Sequence, residues 1–199
     1  MTRWYEERKK EHFYKEAKRH GYRARSAFKL KQIHNRFDIF SKGDTVLDLG
    51  AAPGGWSQVA KEIVGENGRV IGLDILPIKP IEKVHFIQGD ITDSKTVEEL
   101  KQQLNNRKVD VIISDMSPDI SGTYSVDQAR SIWLGENALD VAEQLLKPNG
   151  TFVCKIFEGE DTKGFLDKVK RRFYIVKKFL PKASRKSSSE IYIIAKSLK

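Results

Sequence analysis

The stretch that decides the fold runs from Val46 to Ala60 and reads V-L-D-L-G-A-A-P-G-G-W-S-Q-V-A. A short apolar segment typical of a buried strand leads into a turn with three glycines and one proline, and a helix-like segment follows from Gly55. In open α/β sheets, ligands bind beyond the carboxyl ends of the strands. Glycine lets the backbone approach a ligand closely, and the next helix offers free N–H groups. The stretch therefore predicts a ligand-binding turn.

Strand-like and helix-like segments alternate along the rest of the chain. Seven segments are predicted as strands: Thr45–Leu49, Arg69–Leu73, Val84–Gln88, Val109–Ser114, Thr151–Phe157, Tyr174–Phe179 and Glu190–Ala195. Helices are predicted over 25–37, Gly55–Val64, Lys95–Leu104, Ser125–Leu146 and Thr162–Arg171. This order predicts an α/β fold whose mostly parallel seven-stranded sheet has helices on both faces. Because no helix joins the last two strands, we expect that pair to be antiparallel.

The composition predicts a single globular domain over residues 1–199, since 39% of the residues are hydrophobic and 32% are charged. We expect a cytoplasmic protein, because the sequence has no membrane-length apolar run and its first residues lack a secretory signal. The lone cysteine, Cys154, excludes an intrachain disulfide and lies in an apolar segment, which indicates a packing role. The four histidines are scattered, so no metal site is predicted.

Positive charge is concentrated at the two ends of the chain. Residues 1–42 contain 13 Lys and Arg against 5 acids, and residues 161–199 contain 12 against 3, whereas residues 43–160 contain 11 against 19. Two basic ends around an acidic centre favour a polyanionic partner, nucleic acid above all. We therefore predict that residues 1–42 form a basic helical extension facing RNA and that residues 43–199 form the catalytic core.

Aromatic side chains are interspersed among the basic residues of the N-terminal segment. The cations are Arg3, Arg8, Lys9, Lys10, Lys15, Lys18, Arg19, Arg23 and Arg25, and the aromatics are Trp4, Tyr5, Phe13, Tyr14 and Tyr22. Cations can bind phosphates while aromatic rings stack on bases. The alternative is a solvated helix whose aromatics pack on the core. Lys182, Arg185 and Lys186, close to Glu190 in sequence, can extend the same surface.

Acidic residues surround the glycine turn. Asp48 lies in the strand before it, Asp74 ends the second strand, and Asp90 follows the third. Neither a P-loop lysine nor the G-x-G-x-x-G dinucleotide pattern is present, since Ala52 stands where the second glycine of that pattern is needed. Carboxylates repel phosphate but accept hydrogen bonds from ribose hydroxyls and attract positive charge. The pattern favours a phosphate-free nucleoside with a cationic centre, such as S-adenosylmethionine. Asp48 is assigned to holding the turn, and capping is the alternative role for Asp74 and Asp90.

Further segments extend this pattern over nearly the whole chain. They are Y-R-A-R-S-A-F-K-L (22–30), D-I-L-P-I (74–78), Q-G-D (88–90), S-D-M-S-P-D-I-S-G (114–122), F-V-C-K-I-F-E-G-E (152–160) and S-S-E-I-Y-I-I-A (188–195). Together with the glycine turn, their order and spacing resemble the RrmJ/FtsJ family of ribose 2′-O-methyltransferases. The resemblance implies a Rossmann-like class I methyltransferase fold. Ser117 and Asp119 depart from the family's S-D-M-A-P-N pattern.

The resemblance also implies the site residues. The family uses a Lys-Asp-Lys-Glu tetrad, which corresponds here to Lys29, Asp115, Lys155 and Glu190. The cofactor contacts that it implies are Gly50, Pro53, Gly54, Gly55, Trp56, Asp74, Asp90 and Asp115. We expect Lys155 beside Asp115, either as the proton acceptor for a ribose 2′-hydroxyl or as a protonated cation that orients it. The base role is favoured, with Lys29 and Glu190 positioning the ribose and its phosphates.

The function implied by the resemblance is S-adenosylmethionine-dependent 2′-O-methylation of RNA, with a uridine in the A-loop of large-subunit (23S-type) rRNA as the expected target. A tRNA anticodon-loop methyltransferase is the first alternative. A non-catalytic rRNA-binding assembly factor is the second, and the complete tetrad argues against it. A nicotinamide oxidoreductase is disfavoured by the missing glycine pattern. The expected partner is rRNA within the ribosomal subunit, without DNA or a membrane, and the expected state is a monomer.

Overall fold

A central twisted sheet organises the chain. The computed structural model describes residues 13–185 and 188–199; Arg3, Trp4, Tyr5, Arg8, Lys9, Lys10 and Lys186, which were predicted to contact RNA, lie outside these ranges. The strands are β1 (Thr45–Leu49), β2 (Arg69–Asp74), β3 (Val84–Gln88), β4 (Val109–Ser114), β5 (Leu146–Phe157), β6 (Phe173–Phe179) and β7 (Glu190–Leu198). The helices are α1 (residues 13–19), α2 (Ala27–Phe37), α3 (Gly55–Val64), α4 (Ser94–Gln103), α5 (Tyr124–Leu145) and α6 (Thr162–Arg172).

The strand order in the sheet is β3-β2-β1-β4-β5-β7-β6. The five strands from β3 to β5 are parallel, and β7 runs antiparallel between β5 and β6. This confirms the predicted seven-stranded, mostly parallel sheet with an antiparallel last pair. The chain moves outward from β1 in one direction and from β4 in the other, so the order reverses between these two central strands. Ligands of open α/β sheets bind at such a switch point.

Helices cover both faces of the sheet because its buried strands alternate between two apolar layers. Val46 of β1 packs in one layer with Leu30 of α2 and Val59 of α3. Leu47, its neighbour in β1, packs in the opposite layer, to which α4, α5 and α6 contribute. The start of α2 lies near the carboxyl end of β5 on one face of the sheet, where Lys29 pairs with Glu190. The start of α5 lies near the same end on the other face, where Tyr124 contacts Glu158.

The largest departure from the sequence prediction is at the junction of α5 and β5. A helix was predicted to end at Leu146 and the next strand to begin at Thr151, but α5 ends at Leu145 and β5 already begins at Leu146. The prediction was wrong because Leu146 is fully buried and pairs with Val109 of β4. The ladder shifts register after that pair, and Asn149 adopts a left-handed φ of 64°. The turn-forming residues therefore form an irregularity inside a strand.

Three further properties of the described residues bear on function. Cys154 is buried, and burial raises the pKa of its thiol to about 12, which fits a packing role. Within residues 13–185 and 188–199, no helix is long and apolar enough to span a bilayer. The same ranges contain no cluster of three or more His, Cys, Asp or Glu side chains that can hold a metal ion.

Candidate active site

A cavity of about 370 Å³ opens beyond the carboxyl ends of β1, β2, β3 and β4. Its lining includes four of the residues predicted for the cofactor, namely Gly50, Asp74, Asp90 and Asp115. Apolar side chains that the sequence did not indicate complete it, among them Leu73, Ile75, Leu76, Ile91, Met116 and Trp133. A cavity of this size with apolar walls and a few polar groups is typical of a small-molecule site.

The glycine turn forms one wall of the cavity. Gly50 has a φ of +73°, and a Cβ at this position would collide with the Met116 side chain. Only glycine therefore fits, for both conformational and steric reasons. The Asp74 carboxylate fixes the turn, because Oδ2 accepts a 2.8 Å hydrogen bond from Ala52 N and Oδ1 a 2.8 Å bond from Leu76 N. Each oxygen keeps a further lone pair for a ligand hydroxyl.

Asp90 forms hydrogen bonds within its own turn and also lines the cavity. Its Oδ1 accepts hydrogen bonds from both the backbone N (2.9 Å) and the hydroxyl (2.8 Å) of Thr92, as a turn-forming aspartate does. Asp90 also lines the cavity, on the opposite side of Asp74 from the glycine turn in sheet order. Both of its local bonds use Oδ1, so the carboxylate keeps acceptor capacity for a ligand amine or hydroxyl.

Four of the predicted cofactor residues, Pro53, Gly54, Gly55 and Trp56, are not among those that line this cavity. The Trp56 side chain is 3% exposed and packs between α3 and α2, where its Nε1 donates a 2.9 Å hydrogen bond to Ser26 O. Its ring centroid lies 5.7 Å from that of Tyr192. Asp48 lies behind the turn, fully buried, and accepts a 2.6 Å hydrogen bond from the Ser57 hydroxyl. This bond ties β1 to the first turn of α3.

The four tetrad residues form two buried ion pairs at the same edge of the sheet. Nζ of Lys155 lies 3.2 Å from Oδ1 of Asp115 and donates a 2.7 Å hydrogen bond to the Asp115 carbonyl oxygen. Nζ of Lys29 forms an ion pair with Oε1 of Glu190, and both side chains are almost buried. Charges in such dry surroundings need partners, which explains the pairing. Asp115 also lines the cavity, so the tetrad and the cavity meet at this residue.

Tyr192 connects the two pairs, and sequence reasoning missed it. Its hydroxyl donates a 2.8 Å hydrogen bond to Oδ1 of Asp115, and Nζ of Lys29 lies 5.7 Å from the centre of its ring. Burial, with the nearby Asp115 carboxylate, raises the pKa of Tyr192 well above its usual value, so it remains a hydrogen-bond donor. The available signal was its spacing: it lies two residues after Glu190, on the same face of β7, and opposite Lys155 in the register.

Two arginines lie near the Glu190 end of the tetrad. Arg25 precedes α2, and Arg185 lies in the loop before β7, a loop that contacts α2 through a 3.2 Å hydrogen bond from Ala183 N to the Gln32 side chain. Partial burial, and then the nearby guanidinium of Arg185, lower the pKa of Arg25. The Glu190 carboxylate acts on Arg25 in the opposite direction, so it is close as well. Two like charges held together in this way form an attractive site for an anion.

The predicted N-terminal aromatics divide between the two roles considered for them. The ring of Phe13 packs 5.6 Å from Phe28, and Tyr22 packs 5.8 Å from the same ring. Tyr14 is 56% exposed, and Nζ of Lys18 lies 5.4 Å from its ring centre. Phe13 and Tyr22 therefore attach α1 and the chain after it to α2, whereas Tyr14 is free of the core.

Comparisons with known proteins identify the family of this chain. A family model described as FtsJ-like methyltransferase matches residues 22–198. A protein of Halorubrum lacusprofundi is 49% identical over 191 residues, which are 95% of this chain and 71% of that protein. A protein of Methanothrix thermoacetophila is 50% identical over 189 residues, which are 95% of this chain and 73% of that protein. Both are named Ribosomal RNA large subunit methyltransferase E.

Two crystal structures share the fold. One, from Plasmodium falciparum, is provisionally described as a ribosomal RNA methyltransferase; it is 30% identical, has a TM-score of 0.81, and the match covers 89% of this chain and 98% of that one. The other is from Clostridium thermocellum, with 23% identity, a TM-score of 0.57, and coverage of 85% and 97%. The second likeness bears on the fold alone.

Proposed function

This chain belongs to the FtsJ-like methyltransferase family, and on that premise we propose that it transfers the methyl group of S-adenosylmethionine to a ribose 2′-oxygen in RNA. The names of the relatives from Halorubrum and Methanothrix support RNA of the large ribosomal subunit as the substrate, and a uridine of its A-loop is the target that we propose. The observation that carries this proposal is the Lys155–Asp115 pair, buried at the point where the cavity meets the tetrad.

The cavity residues fit S-adenosylmethionine. When bound, this cofactor supplies a methyl group activated by a positively charged sulfur. Asp74 has the acceptor capacity to hold ribose hydroxyls, and Asp90 can accept from an amine or hydroxyl. Asp115, another carboxylate in the lining, attracts positive charge toward the tetrad. The glycine at position 50 leaves room for Met116, which lines the cavity with it.

Lys155 handles the proton of the 2′-hydroxyl. In its neutral form, Nζ of Lys155 would accept the hydroxyl proton while the ribose oxygen takes the methyl group of a bound donor, whose sulfur would keep the electron pair of the broken carbon–sulfur bond. Asp115 fixes that nitrogen through two contacts, and Tyr192 fixes Asp115 in turn. Holding the reacting groups in one geometry removes much of the entropic part of the barrier. A protonated Lys155 that only orients the hydroxyl is the competing role.

The surface around the tetrad favours a polyanionic substrate. Arg25 and Arg185 hold two positive charges close to Glu190, where phosphates on either side of a bound ribose can reach them. Lys182 is exposed on the same loop, and the exposed Tyr14 with Lys18 extends the basic surface along α1. Because the 2′-hydroxyl exists in RNA and not in DNA, a tetrad that handles its proton selects RNA.

One labelling experiment tests the proposal. The protein is incubated with methyl-labelled S-adenosylmethionine and, in separate reactions, assembled large ribosomal subunits, naked large-subunit rRNA and tRNA, and the label is mapped to a nucleotide and an atom. We expect a 2′-O-methylated uridine in large-subunit RNA. Label on a base, or on no RNA, overturns ribose methylation. Label in tRNA alone overturns the rRNA assignment and favours the anticodon-loop alternative.

A further inference from the structure

An exposed tyrosine lies beside the tetrad with no role in the chemistry above. Tyr124 is the first residue of α5, its side chain is 58% exposed, and its hydroxyl donates a hydrogen bond to the carbonyl oxygen of Glu158. That bond fixes the edge of the ring while a large part of its surface remains open to solvent. Ile120, four residues earlier, is 65% exposed. Apolar groups held in the open next to a reactive site indicate a contact with a ligand.

The backbone places Tyr124 between the cavity and the tetrad. Glu158, which accepts its hydroxyl, donates a 2.8 Å backbone hydrogen bond to Ser189 O, and the next residue is Glu190 of the tetrad. On the other side, Ser117 and Asp119 of the preceding loop line the cavity. Tyr124 is therefore one backbone contact away from the tetrad and a few residues away from the cofactor cavity.

The loop before Tyr124 is fixed in place rather than open to rearrangement. Asp127, in the first turn of α5, accepts hydrogen bonds at Oδ1 from the backbone N (2.8 Å) and hydroxyl (2.7 Å) of Ser121. Its Oδ2 accepts a third bond, of 3.2 Å, from Gly122 N. A ligand that meets Tyr124 thus meets a preformed surface, which lowers the ordering cost of binding.

The two helix layers can contact different parts of a bound nucleotide, because they lie on opposite faces of the sheet. Arg25 precedes α2, on one face of the sheet, whereas Tyr124 begins α5, on the other face. A ribose bound at Lys155, near the carboxyl edge of the sheet, can direct its phosphates toward the arginines on one face and its base toward the tyrosine on the other. The target ribose must also leave the helical stack to reach a buried lysine, and its base then needs a new stacking partner.

From these relationships we infer that Tyr124 is a stacking residue for the base of the nucleotide whose ribose is methylated. The inference rests on the proposed function and deepens it. Its ligand is a nucleobase, recognised through the π-face of the ring and not through hydrogen bonds, so the contact tolerates different bases.

Four proteins test the inference: the wild type, Tyr124→Ala, Tyr124→Phe and the control Tyr174→Ala. Tyr174 is also an exposed tyrosine, with 73% of its surface open to solvent. It lies in β6 beside the carboxyl end of β7, whereas Glu190 lies at the other end of β7. The substrate is whichever RNA takes up label from the wild type, and KM is measured separately for that RNA and for S-adenosylmethionine. We expect Tyr124→Ala to raise the KM for RNA about tenfold or more. Tyr124→Phe and Tyr174→Ala should keep it near the wild-type value, and the KM for S-adenosylmethionine should not change.

Each other result has a definite meaning. If Tyr124→Phe loses as much as Tyr124→Ala, the bond to Glu158 matters and the ring does not, and the inference is overturned. An unchanged KM for RNA in Tyr124→Ala overturns it too, as does a parallel rise in the KM for S-adenosylmethionine. A wild-type protein that labels no ribose overturns the proposed function itself, which separates that failure from the failure of Tyr124.

Discussion

Lys155 approaches Asp115 twice, with Nζ 3.2 Å from the carboxylate Oδ1 and within a 2.7 Å hydrogen bond of the backbone carbonyl. The two residues come from neighbouring parallel strands, and Ser114, just before Asp115, pairs with Cys154, just before Lys155. The register of β4 and β5 therefore sets the position of the lysine amine at the mouth of the cavity. An amine held by a carboxylate and a carbonyl has little freedom to reorient. This suits the proposed role of Lys155, which is to accept a proton from one hydroxyl group.

Replacing Lys155 by alanine should stop methyl transfer without emptying the cofactor cavity. Lys155 does not line that cavity, so the affinity for S-adenosylhomocysteine, measured by calorimetry, should stay close to that of the wild type. We expect kcat to fall about 100-fold or more, as on loss of a general base. If turnover survives, the base assignment is wrong.

The kcat of Lys155→Arg separates the two roles that are considered for this residue. An arginine keeps the positive charge at all accessible pH values and cannot accept the proton. An orienting cation predicts that Lys155→Arg keeps substantial activity. A base predicts that kcat of Lys155→Arg is as low as that of the alanine variant.

Asp74→Ala should weaken the binding of the cofactor more than it slows transfer. Both carboxylate oxygens hold backbone N–H groups of the turn and of Leu76, and the residue lines the cavity. We expect the Kd for S-adenosylhomocysteine to rise by about tenfold or more, because two donors and a ligand contact lose their acceptor. Asp74→Asn is the matched control, since it keeps one acceptor oxygen and should fall between the two. A normal Kd in the alanine variant would exclude Asp74 from the binding site.

The sequence predicted those parts of the fold and site that depend on local pattern. Buried parallel strands are continuous apolar segments, and Asp115 and Lys155 follow such segments on strands expected to be neighbours, so their proximity could be foreseen. The partnership of Tyr192 with Asp115 could not, because it depends on the cross-strand register that places Tyr192 opposite Lys155. Leu146 shows the reverse difficulty: the turn-forming residues after it are strong local signals, but pairing with Val109 outweighs them.

The side-chain directions of predicted residues were also beyond the sequence. The family resemblance implied a cofactor contact for Trp56, yet its ring packs against Tyr192 on the α2 side. The direction follows from the helix that begins at Gly55, since the position of each side chain around a helix is set by where the helix starts. A cofactor contact of Pro53, Gly54, Gly55 and Trp56 stays a prediction.

The buried Lys29–Glu190 pair should show strong coupling in a double-mutant cycle. Lys29→Met or Glu190→Leu alone leaves one buried charge without a partner, which costs about 3–5 kcal/mol of unfolding free energy. The double variant leaves no such charge, so its loss should be clearly smaller than the sum of the single losses. Urea unfolding measures all four proteins.

An exposed pair supplies the control for this cycle. Lys83 and Glu66 form an ion pair with side chains 50% and 76% exposed, and the equivalent substitutions there should change stability little. Additive losses at Lys29 and Glu190 would show that their contact does not balance the buried charges. We expect the double variant to remain impaired in methyl transfer, because it lacks the two side chains that are predicted to position the ribose.

Asp48 should make the protein less stable as the pH rises from about 4 to about 7. Burial raises the pKa of this carboxyl from 3.8 to about 7, helped by the negative charges of Asp115 and Asp74. Between these pH values the folded protein keeps the proton and the unfolded chain loses it, so each increment of pH favours unfolding. The associated stability is fully present below about pH 4 and is lost as the pH passes through about 7, with a total of roughly 4 kcal/mol.

The variant Asp48→Asn isolates this contribution, because it is nearly isosteric, can still accept the Ser57 hydroxyl bond and does not titrate. The measured quantity is the unfolding free energy of the wild type minus that of Asp48→Asn, taken at several pH values so that the other ionisable groups cancel. We expect this difference to decrease steadily between about pH 4 and pH 7 and to be flat outside that range. A difference that is constant with pH, or that increases, would mean that Asp48 stays ionised in the folded protein. The glycine turn would then be held by a carboxylate and not by a neutral acid.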